Sequence, residues 1–304
     1  MLLTVGDLVE DLIVAAPASM MNDAGLAAAA AGSRIGLRLG ADAPVTVTRR
    51  RGGSAANVAV GAAKLGRPAR FVGQVGDDPV GRHLIGDLAA AGVDPVVRRA
   101  GRTGTIVVLC HDDADGVSER TMLTDRGSSV DLDRPEPSWL DGVTQLHLPL
   151  YSFVGGELAA TSRTVAGWAS ERGIGLSIDV SATSVIDELG VIDTHRLLDA
   201  IAPDVVFANG AEAALLGVGH EPDWLASAVF VEKRGAAPAS VRVGGASAFE
   251  IPAADLGQVA DTTGAGDAFA AGYLIASAGG AEPDEAVAGG HRCAADHLLM
   301  ISSA

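Results

Sequence analysis

The sequence predicts an α/β fold, a mostly parallel sheet flanked by helices with a second, small β-sheet, and three observations predict it. Short β-branched runs alternate with Ala/Leu-rich segments of helical period, the order expected of βα units. Glycines stand at the ends of the helical segments, where a left-handed residue closes a helix. The chain has 304 residues, 48% of them hydrophobic, which is enough apolar material for one large core.

In chain order, Leu2–Val5 is the first strand. The segment that contains it reads poorly as a signal peptide, because it lacks a basic start and carries Asp7, Glu10 and Asp11 inside the apolar run. Ala15–Arg51 breaks the βα alternation, with an Ala-rich stretch at Gly25–Ala31 and a strand at Val45–Thr48. Ser54–Leu65 is a helix with Ser54 as N-cap, Gly66 at its stop and Pro68 beyond. Strand Ala69–Val75 and helix Val80–Ala91, closed by Gly92, follow. Val96–Leu123 is a second excursion, in which Thr105–Cys110 is strongly strand-like. The alternation resumes with strand Gln145–Leu148, helix Glu157–Arg172 ending at Gly173, and strands Gly175–Asp179, Asp204–Ala208 and Ser227–Glu232. The two excursions can form a small sheet over the carboxyl ends of the parallel strands, where such folds place ligands.

Composition excludes several functions. With 22 basic and 38 acidic residues the formal charge is −16, a field that repels phosphate backbones and anionic lipid surfaces, so no nucleic acid or membrane partner is expected. Only Lys64 and Lys233 are lysines. No apolar stretch approaches the ~18 residues of a membrane span. Cys110 and Cys293 are far apart and lack metal-ligand spacing, which fits a reducing cytoplasm. The seven histidines show no metal spacing and read mostly as surface or capping residues.

The strongest local signal is Asp261-Thr262-Thr263-Gly264-Ala265-Gly266-Asp267-Ala268-Phe269-Ala270-Ala271-Gly272. Small residues there let backbone approach a ligand, and the helix that follows presents free amides to an anion. A carboxylate beside an anion site is costly unless it has a task, and Asp267 is placed to accept the proton of an attacking hydroxyl. A dinucleotide fingerprint would need Gly where Phe269 stands. Gly61-Ala-Ala-Lys-Leu-Gly66 lacks the Lys and Ser/Thr of a P-loop and is a helix ending.

The segment 261–272 resembles the C-terminal signature of the ribokinase-like, or PfkB, carbohydrate kinases. Arg51-Gly52-Gly53-Ser54-Ala55-Ala56-Asn57 is similar to the N-terminal signature, and Gly6-Asp7-Leu8-Val9-Glu10-Asp11 to the end of the first strand. Asn209-Gly210-Ala211-Glu212 is similar to the family's Asn-x-x-Glu motif, and Val231-Glu232-Lys233-Arg234-Gly235 to its nucleotide loop. The resemblance implies one ribokinase-like domain over residues 1–304, Rossmann-like with a small β lid of segments roughly 12–51 and 96–123. It implies transfer of the γ-phosphoryl group of ATP, with Mg2+, to a hydroxyl of a small sugar or sugar acid in the cytoplasm, and a homodimer through the lid.

By the same resemblance Asp267 is the general base and Gly264, Ala265, Gly266 and Asp267 form the anion hole. Asp11, Gly52, Gly53 and Asn57 bind substrate, Asn209, Lys233 and Gly235 bind ATP, and Glu212 joins the magnesium network through water. Asp261 is expected to shape the turn or join a cation site, and Asp179 is a second candidate near the phosphates. Several places depart from the family pattern: Val9 replaces an asparagine of many sugar-specific members, Pro238 follows the nucleotide loop, and His291-Arg292-Cys293 alters the last helix. These leave the adenine side and a monovalent-cation site open. Arg102, Arg120 and Arg126 read as surface residues, any of which could meet an acidic acceptor. A nucleoside kinase of the same fold, which would need lid aromatics that this chain lacks, and a non-catalytic sugar-binding protein are the alternatives.

Overall fold

Leu2 and Leu3 are both fully buried, yet they pack into different hydrophobic clusters. Successive strand residues point to opposite faces, so a strand buried on both sides is mostly apolar, and β1 (Leu2–Val5) is, with Thr4 its one polar residue. The same division places Val206 in one cluster and Phe207 in the other. The structure is a computed structural model that describes residues 1–15, 45–112, 118–218, 223–244, 246, 248–257, 259 and 261–302.

After β1 come β2 (Val9–Ala15), β3 (Val47–Gly52), α1 (Ser54–Lys64), β4 (Ala69–Val75), α2 (Pro79–Ala90), β5 (Asp94–Arg99), β6 (Thr103–Asp112) and β7 (Ser118–Gly127). The second half holds β8 (Gln145–Pro149), α3 (Leu158–Glu171), β9 (Gly175–Asp179), α4 (Thr183–Leu189), α5 (Val191–Ile201), β10 (Val205–Asn209), α6 (Gly210–Leu215), β11 (Val229–Lys233), β12 (Ala239–Val243), β13 (Phe249–Ile251), α7 (Ala265–Ala278) and α8 (Pro283–Ser302). The large sheet runs β13-β12-β11-β10-β9-β8-β1-β4-β5 and is parallel from β11 to β5. Helices α1, α7 and α8 cover one face and α3 and α5 the other.

The small sheet, β3-β2-β6-β7, is the lid. Its composition corrects two expected boundaries. Residues 96–99, expected in the lid, belong to β5 and pair with β4 at the edge of the large sheet. The lid instead begins at Val9 and its second excursion runs on to Gly127. The Ala-rich stretch Gly25–Ala31 lies outside the described residues. Directly paired residues share a face, so Asp11, Ile106 and Thr124 form one row towards the large sheet and Ile13, Val108 and Met122 the next.

Candidate active site

The turn ahead of α7 is shaped by its own side chains. Asp261 Oδ1 accepts hydrogen bonds from the Thr263 amide at 2.8 Å and the Thr263 hydroxyl at 2.6 Å. Gly264 then adopts φ +77°, a left-handed conformation open to glycine at little cost. No side chain caps α7; the Ala265 amide turns back to the Thr262 carbonyl at 3.3 Å, and the amides of Gly266 and Asp267 remain without helical partners beside the cleft. Two distant groups hold this turn. Arg50 of β3 pairs with Asp261 Oδ2 at 2.9 Å, and His297 of α8 places Nε2 2.7 Å from the Thr263 carbonyl oxygen. A carbonyl only accepts, so that nitrogen carries the proton.

Asp267 lies in the first turn of α7 and is held by α1. Ser54 Oγ donates to its Oδ1 at 2.7 Å and Asn57 Nδ2 donates to its Oδ2 at 2.9 Å. Burial raises the pKa of this carboxyl above the ordinary aspartate value, the two hydrogen bonds oppose the rise, and Asp179 adds to it. Ser54 is therefore not the helix cap that its position in the sequence suggests. The cap is Gly53, without a side-chain bond, and the serine hydroxyl turns to the carboxylate.

Asp11 enters from the lid with Oδ1 buried and unpartnered. Burial, then the charge of Asp267, pushes its pKa up to about 6, with Arg50 acting the other way. Gly53 has φ +103°, and a Cβ there would stand 2.1 Å from the Asp7 carbonyl oxygen, so only glycine lets the chain leaving β3 approach the connection between β1 and β2. Gly52 does not border the cleft; it sits behind Asp11, where a Cβ would fall 2.0 Å from the carboxylate. Arg126, read as a surface residue, is instead a half-buried partner of Asp7: Nε and one terminal nitrogen grip the carboxylate at 2.8 and 2.9 Å. The remaining contacts go to the carbonyls of Val154 and Tyr151. Burial raises the Asp7 pKa and Arg126 opposes it.

The carboxyl ends of β9, β10 and β11 supply the other half. Lys233 Nζ lies 2.5 Å from Asp179 Oδ2, with side-chain exposures of 17% and 4%, so the lysine is no surface residue. The same nitrogen is 3.3 Å from where a Cβ on Gly266 would stand, which puts it beside the turn. Burial opposes the Lys233 charge, but Asp179, then Glu212 and Asp267, outweigh it and hold its pKa above the ordinary lysine value. Asn209 and Glu212 form a reciprocal capping box on α6: Asn209 Oδ1 accepts from the Glu212 amide at 3.0 Å, and Glu212 Oε2 from the Asn209 amide at 2.8 Å. Burial raises the Glu212 pKa, opposed by the Asn209 amide.

Asp11, Gly53, Asn57, Asn209, Glu212, Lys233, Gly235 and the 264–267 turn all border one cleft of about 770 Å³. Sequence reasoning missed Asp7, Ser54, Arg126 and His297. Asp7 stood in plain view four residues before Asp11, but nothing local marked its partner 119 residues away. One histidine departs from the surface or capping reading given to most of them: His147 is fully buried against Ser177 Oγ at 2.9 Å, and burial drives its pKa down to about 4. Among the described residues no group of three or more His, Cys, Asp and Glu is arranged to hold a metal, and no helix is long and apolar enough to cross a membrane.

Three comparisons place this geometry. The pfkB family carbohydrate kinase profile matches residues 33–297. A fructokinase of Klebsiella pneumoniae is 32% identical over 252 residues, covering 78% of this chain and 80% of that protein. An ATP-dependent ribose-1-phosphate kinase of Halopiger xanaduensis is 32% identical over 251 residues, covering 77% and 76%. The solved structure of adenosine kinase from Sinorhizobium meliloti superposes with a TM-score of 0.79 at 26% identity over 97% of this chain and 92% of that one.

Proposed function

Because the chain belongs to the pfkB family of carbohydrate kinases, we propose that its cleft transfers the γ-phosphoryl group of ATP to a hydroxyl of a sugar-like acceptor, with Asp267 as general base. One observation carries the assignment of roles: the Asp267 carboxylate stands in the first turn of α7, beside uncapped amides, and is gripped by Ser54 and Asn57 of the paired-glycine segment. Acceptor and phosphate machinery meet at that side chain.

In this reading the acceptor hydroxyl gives its proton to Asp267 while the amides of Ala265, Gly266 and Asp267 receive the charge on the transferring group. Asp11, whose carboxylate borders the cleft, accepts from acceptor hydroxyls. For that transfer Asn57 must exchange its bond to Asp267 for one to the acceptor, which frees Oδ2 for the proton. Lys233 and Gly235 border the phosphate end, where little covalent work is asked of the protein.

Glu212 and Asp179 border the same end, but their oxygens are occupied by Asn209, Ser181 and Lys233. Two carboxylates without a cage suit a magnesium ion that arrives on nucleotide phosphates and keeps its waters. Bound there, the ion would neutralise phosphate charge.

A nucleoside acceptor is the second reading, favoured by the aliphatic lid wall of Ile106, Val108 and Met122, which could cover a base. An ADP-release assay with ATP and magnesium over pentoses, hexoses, sugar acids, sugar phosphates and nucleosides decides between them. Turnover confined to nucleosides overturns the sugar reading, and no turnover at all overturns the kinase assignment. Pairing of two copies through the lid is supported by the exposed apolar side chains of Val47 on β3 and Leu123 on β7 and is tested by light scattering.

A further inference from the structure

Arg126 has five N–H groups, and four bonds already hold it: two to Asp7 and one each to the carbonyls of Val154 and Tyr151. Side-chain exposures of 15% and 13% make this a recessed, charge-neutral pair at the acceptor end of the cleft. The other cations that border the cleft among the described residues are spent in the same way. Lys233 is bound to Asp179, and Arg234 to Glu232 and Glu250. Just outside, Arg50 is bound to Asp261 and Arg51 to Asp87. What remains at the acceptor end among the described residues is Asp11 and Asp267, both carboxylates, while the amides of Gly266 and Asp267 stand at the phosphate end.

We propose that the acceptor is an uncharged polyol, a free sugar or a neutral glycoside, and that the Asp7–Arg126 pair is the device that refuses sugar acids and sugar phosphates. This rests on the reading of the cleft as a kinase acceptor site. An arginine with Asp7 removed would be a ready carboxylate or phosphate clamp; with Asp7 in place its fork is held, and an anionic acceptor meets two carboxylates with no free cation among the described residues bordering the cleft to offset them. Like charges brought together without compensation are strongly disfavoured.

The test uses paired acceptors of which one member carries an anionic group, a methyl hexoside against the matching methyl hexuronide and a ketose against its phosphate, with kcat/KM measured for each. The wild type is expected to favour the neutral member by roughly a hundredfold. Asp7→Asn, which frees the arginine charge, is expected to bring the ratio near parity, and Asp7→Asn with Arg126→Gln, neutral again, to restore it. Wild-type preference for the anionic member overturns the inference and leaves the kinase reading standing, as does a folded Asp7→Asn variant with an unchanged ratio. If the single variant fails to fold, the wild-type ratio and the double variant decide. Absence of turnover with every pair overturns the kinase reading itself and the inference with it.

Discussion

Ser54 Oγ donates a hydrogen bond of 2.7 Å to Asp267 Oδ1, joining the first turns of α1 and α7 across 213 residues of sequence. This bond and that of Asn57 favour the ionised carboxylate in a place where burial disfavours it. Ser54→Ala should therefore move the acid limb of the kcat/KM profile to higher pH and lower turnover at pH 7 by about tenfold. Ser54→Thr, which keeps the hydroxyl, should restore the limb. Rate profiles of the three proteins check this.

Asp11 has a pKa raised to about 6, by burial first and by Asp267 second. If its carboxylate grips acceptor hydroxyls, the acceptor KM should rise as pH falls through about 6, and Asp11→Asn should remove that dependence. The stability effect has a definite sign. A carboxyl whose pKa is higher folded than unfolded costs stability as pH rises from its ordinary value of 3.8 to about 6, so Asp11→Asn should raise Tm above that window and leave it unchanged below. Thermal melts at pH 3.5 and pH 7 measure it.

His297 fixes the Thr263 carbonyl and with it the peptide plane entering Gly264, whose amide points the opposite way. His297→Ala should lower kcat on the order of tenfold, by loosening the anion turn, while the acceptor KM stays the same. His297→Gln retains a donor and should recover most of the loss. Steady-state kinetics with each substrate varied separates these outcomes.

Lys233 and Asp179 are a recessed ion pair, so removing one partner strands the other. Lys233→Met should cost about 3 kcal/mol of stability, and Lys233→Met with Asp179→Asn should regain most of it. The ATP KM should stay raised in both, because the positive charge beside Gly266 is gone. Denaturant melts and ATP titrations report the two effects independently.

The fold was legible wherever local chemistry decides it. Gly66, Gly92 and Gly173 close helices at positive φ as their positions suggest, and strands 2–5, 69–75 and 175–179 fall where the β-branched runs lie. The anion turn was legible for the same reason, since Gly264 and the amides after it are neighbours in sequence. What pairing decides was not. Val96 and Val97 look like strand residues, but nothing in them says whether β4 or the lid receives them. The Arg126–Asp7 and Ser54–Asp267 contacts span 119 and 213 residues, and a charged or hydroxyl side chain carries no mark of a partner so far away. Ser54 misled for a further reason: a serine opening an apolar run is the ordinary sign of a cap, and here the cap is a glycine because Asp7 leaves no room for a Cβ.

The central claim is that Asp267 takes the acceptor proton, and single-turnover phosphoryl transfer by Asp267→Asn with saturating ATP, magnesium and acceptor tests it most directly. The account predicts a rate lower by about 10²–10⁴ with both substrates still bound, as measured by calorimetry. A variant that binds both and transfers at the wild-type rate would contradict it.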